Sequence, residues 1–160
     1  MTKKLLGILV LSTFLLVSLQ VPANSPPSRV PITLPADSKA ILLAQMLGHM
    51  VGLDGIVTAL GQGDYDAAAK IASTELGTPR FQDASASRKK AQGPGLRIGQ
   101  HLPAEFREIG GRFRSAANAF ADLARSMPDK PSGVQQQALT AALSKVTNQC
   151  RICHDRFRIE

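Results

Sequence analysis

The chain ends in Cys150-Arg151-Ile152-Cys153-His154, and Cys150 and Cys153 are its two cysteines. On a helix, residues three and four apart share a face, so both thiols and the imidazole point the same way. C-x-x-C-H is the spacing of covalent c-type haem attachment. Two thiols form thioethers to the vinyl groups of one haem, and the neighbouring histidine ligates its iron. Two other chemistries use similar residues. A dithiol redox pair usually opens a helix after a strand, where the helix dipole lowers a thiol pKa; this pair falls late in a long helical pattern with no strand before it. A zinc site wants a fourth ligand, which the motif does not supply.

Residues 1–23 predict a secretory signal: Lys3 and Lys4, an apolar run from Leu5 to Leu19, then Val21-Pro22-Ala23 as a small-residue cleavage site. The run is shorter than the roughly 20 residues of a membrane span. The alternative is an uncleaved anchor, and nothing later in the chain reads as a membrane candidate. Membrane contact is therefore expected only transiently or through an uncleaved signal. The expected compartment is the periplasm, where haem is attached to exported chains.

Without its leader the chain has about 137 residues, the size of one domain with a real core. Alanine, leucine and glutamine are plentiful, with one tyrosine and no tryptophan, which favours helix over sheet. The net charge is +7, and losing the two leader lysines leaves about +5. A modest positive surface suits an acidic protein partner or a membrane face, and ordinary solubility charge accounts for it equally. No basic run interleaved with aromatics points to nucleic acid.

Residues 24–36 hold Pro26, Pro27, Pro31 and Pro35 and are expected to form an extended lead-in outside the core. The folded body is expected from residue 37, with Asp37 or Ser38 as a helix N-cap. In the first helical segment, to about Leu60, Leu43, Met46, Met50, Leu53, Val57 and Leu60 form an apolar stripe. Gly48, Gly52 and Gly55 weaken that helix and permit close approach of a neighbour. Asp64 caps a second, short helix with Tyr65, Ala68, Ala69, Ala72 and Leu76 on one face. Residues 78–101 carry little pattern and read as a crossover loop. Pro103 opens the third helix, where Phe106, Ile109, Phe113, Ala116, Phe120, Leu123 and Met127 keep a heptad rhythm. The fourth starts after Pro131 or Ser132. Its stripe of Leu139, Leu143, Val146, Cys150, Cys153 and Phe157 puts both cysteines toward the core.

These words together resemble a known family. Met46-Leu-Gly-His-Met-Val-Gly-Leu, Gly63-Asp-Tyr-Asp-Ala-Ala-Ala, Ile109-Gly-Gly-Arg-Phe-Arg-Ser-Ala-Ala and Val146-Thr-Asn-Gln-Cys-Arg-Ile-Cys-His-Asp-Arg-Phe-Arg are similar to the class II c-type cytochromes of the cytochrome c-prime family. The likeness covers the chain from about Asp37, and only its last stretch is highly specific. It implies an all-α fold: an antiparallel four-helix bundle with covalent haem near the C-terminus of the last helix. It also implies that Cys150 and Cys153 carry one haem c, with His154 as proximal iron ligand. In such a fold the first helix supplies the distal face, and Leu43, Met46, His49 and Met50 are the candidates. Met46 sits centrally on the stripe, where relatives carry a methionine; ligation by Met46, an open site and a site blocked by Leu43 all stay open. His49 is expected at the rim and His101 in a loop. The resemblance further implies Phe157 packing near the haem and Arg158 near a propionate; the plainer reading is that Arg156 and Arg158 favour a helix C-terminus.

The expected function is a periplasmic monohaem electron carrier, not an enzyme, with a redox protein as partner. The alternative is a five-coordinate haem protein that binds nitric oxide or carbon monoxide. Ser-His-Asp, P-loop and dinucleotide patterns are absent from the sequence. Relatives often pair through their first two helices, which suggests a homodimer.

Overall fold

A computed structural model describes residues 28–77 and 94–160. The leader, the first residues of the lead-in and most of the crossover region lie outside the described residues. What is described is mostly helical and contains four α-helices. They are α1 (Ala36–Gly61), α2 (Tyr65–Ile71), α3 (Ala104–Arg125) and α4 (Gly133–Arg156). A π-helical turn, Ala72–Gly77, prolongs α2, and a 3-10 segment, Pro94–His101, precedes α3.

Local chemistry sets the boundaries. Gly63 adopts φ +74°, a conformation that suits glycine, and lets the chain reverse after α1. The Asp64 carboxylate then accepts from the Ala67 N–H at 2.8 Å and caps α2 as expected. The hydroxyls of Ser73 and Thr74 both donate to the Lys70 carbonyl. They compete for an acceptor of the regular ladder, and the widened π turn follows there. Ser132 and Gln135 form a reciprocal capping box at the start of α4.

Three expectations need correction. The lead-in is not all outside the core: Val30–Ile32 forms strand β1, paired in parallel with strand β2 (Phe157–Ile159). Val30, Ile32 and Leu34 alternate with exposed residues, and Ile32 and Leu34 are buried. This is a period-two signal that the prolines mask; Pro31 is tolerated because the strand is an edge. Helix α1 begins at Ala36 with Pro35 as its N-cap and no side-chain cap, so Asp37 and Ser38 lie inside the first turn. Phe157 sits on β2 rather than on the last helix.

The core face of α1 also differs. Leu42, Gly52, Ile56 and Ala59 are buried, whereas Leu43, Met50 and Val57 are exposed, Met50 to 64%. The helix is apolar around most of its circumference, so periodicity alone does not single out a face. Packing does. A Cβ at Gly52 would stand 3.2 Å from Glu75 Cβ and from Leu76 Cδ2, so glycine lets α1 close onto the π turn. By length and composition α1 is also apolar enough to cross a membrane, with little of its apolar window buried, contrary to the expectation that no later segment is a candidate.

Two buried clusters organise the interior. One joins Ile56, the alanine face of α2, Leu76, Phe113, Phe120, Leu139 and Val146. The other joins Ile32, Leu34, Leu42, Ile98, Ile109 and Phe157. Helices α3 and α4 pack extensively on each other. Glu105 at the start of α3 meets Arg156 at the end of α4 at 3.1 Å, so the two run antiparallel.

Candidate functional site

Between the two clusters lies a cavity of about 750 Å³ with a mainly apolar lining. That volume falls within the range of about 300–1,000 Å³ typical of cofactor and ligand pockets. Helix α4 contributes Cys150, Cys153 and His154 to one wall. Helix α1 contributes Leu42, Met46, His49, Met50 and Leu53 to another. Phe106, Ile109, Gly110 and Phe113 of α3 and Ile98 and Leu102 near the 3-10 segment complete it.

The cysteines straddle the clusters: Cys150 packs on the first, Cys153 on the second. Both thiols are half-buried. Burial pushes the Cys153 thiol up to about 11, with the neighbouring Cys150 adding to the effect. Burial also raises Cys150, against a smaller lowering by its backbone contact. A redox-active dithiol needs the opposite shift, toward thiolate at neutral pH. Among the described residues, no three His, Cys, Asp or Glu side chains gather so as to hold one metal ion. The two sulfurs and the imidazole thus face one space without converging on one point, which suits attachment to separate atoms of a large planar group.

Met46, one candidate distal ligand, lines the cavity and is half-buried beside the second cluster. Leu43 does not line it, so a site blocked by Leu43 is not what this helix face offers; Leu42 takes that place. His49 lines the cavity, with its ring 4.8 Å from that of Phe113. His101 ends the 3-10 segment, pairs with Gln100 and is not in the lining.

Phe157 and Arg158 are not in the lining either. Phe157 is buried one layer behind, edge-on to Phe106 at 5.5 Å. Arg158 is exposed and bonded to Glu160 at 2.9 Å, because the chain has left the helix and entered β2. Three other arginines line the cavity: Arg107, Arg114 and Arg151. Arg107 donates to the carbonyls of Gly99 and Leu102 and so fixes the 3-10 segment as a wall. Arg151 is engaged by Asp155 and Asn148 on its own helix. Sequence periodicity missed these residues because each lies beside, not on, its helix's apolar stripe.

One buried polar atom stands without a partner among the described residues, Gln149 Oε1, and Gln149 lines the cavity. Buried polar atoms are nearly always satisfied by protein or water, so this acceptor is open to a water or to a bound group. The orphaned amide, the two thiols with their histidine and the apolar slot all fit a haem. No protein-family model, curated protein or solved structure matches the chain.

Proposed function

We propose that this protein is a monohaem c-type cytochrome that carries single electrons in the periplasm. The observation that supports this most is the convergence of Cys150, Cys153, His154 and Met46 on one apolar cavity of about 750 Å³. In this reading the helices form an antiparallel four-helix bundle of the cytochrome c-prime kind. Cys150 and Cys153 would hold the haem covalently, and His154 would ligate its iron. Met46 on α1 would be the candidate second iron ligand, and Phe157 stiffens the Phe106 wall from behind.

When bound, the haem supplies a reversible one-electron couple at its iron, with a potential set by axial ligands and burial. The chain does the rest. Helix α4 fixes the attachment points, and the leucine and phenylalanine walls exclude water. The packed helices limit the structural change between oxidation states. The basic chain, formally +7 and about +5 without the leader lysines, favours an acidic redox partner. The exposed apolar side of α1, with Leu47 67% and Val51 66% accessible, supports pairing into a homodimer.

A second reading draws on the same wall. Leu42 and Leu53 flank Met46, and if its sulfur stays off the iron, that apolar face admits nitric oxide or carbon monoxide. Ferric and ferrous spectra of the exported protein, with and without carbon monoxide, distinguish the two. Sharp low-spin bands unchanged by carbon monoxide support the carrier. High-spin bands that shift at once on its addition refute it in favour of gas binding.

A further inference from the structure

Gln45, Arg114, Gln149 and His154 line the cavity without a hydrogen bond or ion pair among the described residues; of these, Arg114 carries a fixed positive charge and Gln149 a buried unpartnered atom. Arg107 and Arg151 already have partners, and Glu75 and His49 also make contacts. Among the described residues Arg114 makes no hydrogen bond or ion pair, although it is half-buried and lines the cavity. Gln149 Oε1 is buried and unpartnered.

The two belong to facing helices. Counting seven residues back from Arg156 along α4 reaches Gln149; counting seven forward from its partner Glu105 along α3 reaches Arg112. Gln149 is therefore level with the stretch between Gly110 and Arg114. The guanidinium reaches back along α3, with its Nη1 3.5 Å from where a Cβ on Gly110 would stand. The missing side chain at Gly110 leaves it that space. An uncompensated guanidinium in an apolar recess attracts a carboxylate. The Gln149 amide, on the facing helix and in the same cavity lining, can turn its NH₂ toward that group by a half-rotation of its last bond.

We infer that Arg114 and Gln149 form the polar pole of the cavity and hold the carboxylate edge of the tetrapyrrole that α4 anchors. This deepens the proposed function and rests on it. It also moves the propionate contact from Arg158, which is bonded to Glu160 outside the cavity, to α3. Both are positioning residues that act through the carboxylates on the iron's charge balance.

The test compares the haem-loaded wild type with Arg114→Gln, Arg114→Lys and Gln149→Leu. Haem content by intact mass comes first. A wild type without haem overturns the proposed function itself. With haem present, Arg114→Gln should lower the midpoint potential, because carboxylate charge near the iron is no longer offset and the ferrous state loses most. The vibrational bands of the haem carboxylates should shift in Arg114→Gln and Gln149→Leu. Arg114→Lys keeps the charge without the two-pronged geometry, so it should restore the potential while leaving the bands shifted. If Arg114→Gln does not accumulate, the bands of Arg114→Lys and Gln149→Leu decide. Potentials and bands equal to wild type in the haem-loaded variants overturn this inference and leave the proposed function standing.

Discussion

Replacing both attachment residues, Cys150→Ala with Cys153→Ala, should do more than remove a chromophore. The cavity between the two clusters measures about 750 Å³. At about 24 cal/mol per Å³ of unfilled core, holding it empty would cost about 18 kcal/mol, more than the roughly 5–15 kcal/mol that keeps a domain folded. The cavity opens to solvent through exposed residues such as His154 and Met50, so water takes up part of that space. Even a quarter of the figure, about 4–5 kcal/mol, is a large share of a domain's stability. Short helices resting on alanine packing, as in α2, leave little reserve. The expected product is a loosened chain that retains helix signal in the far ultraviolet, loses near-ultraviolet signal and binds hydrophobic dyes. The assay is denaturant unfolding followed by both optical windows, beside the haem-loaded wild type. A haem-free variant that unfolds in one sharp transition at the wild-type midpoint would refute the reasoning, because it would show that the clusters stand without anything between them.

Three further outcomes follow from named residues. Met46→Ala should convert a low-spin spectrum to high spin, and an unaltered spectrum removes Met46 as ligand and turns attention to His49, its neighbour on the same wall. Gly63→Ala places a side chain at φ +74° and should destabilise the haem-loaded protein by about 1 kcal/mol in chemical unfolding; no change would show that the turn after α1 relaxes freely. In the share of haem-free wild-type chains that keeps the native packing, burial raises the Cys153 thiol from 9.0 to about 11, so that packing favours the protonated form. Its contribution is complete below about pH 9 and is lost as pH climbs through about 11. Stability should fall across that window and thiol alkylation should rise with it. Half-titration at pH 9 would show thiols already in water.

Much of the fold was legible in the sequence where one face of a helix is apolar and the other is not. The third helix is the clearest case: Ile109, Phe113 and Phe120 are buried where the heptad rhythm put them. Asp64 was readable as a cap because a side-chain oxygen follows the glycine stop and precedes an apolar face, whereas Asp37 and Ser38 offered the same oxygens and lie inside the first turn of α1 instead. Helix α1 was not readable in the same way. Its apolar residues surround the axis, and the buried side was chosen by a glycine contact with the π turn, a long-range event. The β1–β2 pairing joins residues more than a hundred positions apart in register; short strands flanked by prolines carry too weak a local signal to reveal it. Of the candidate site, the C-x-x-C-H face and Met46 were legible by spacing and do share the cavity. Arg114 and Gln149 were not, because their significance lies in lacking partners, which only the packed helices expose.

A tetrapyrrole bonded to the end of α4 is the central element of the proposed function. The most direct measurement is mass spectrometry of the exported protein and of its proteolytic fragment spanning residues 150–154. One haem added through both sulfurs, surviving denaturation and acid extraction, is the predicted result. A fragment of unmodified mass with two free thiols, from cells competent to mature other c-type cytochromes, would contradict it.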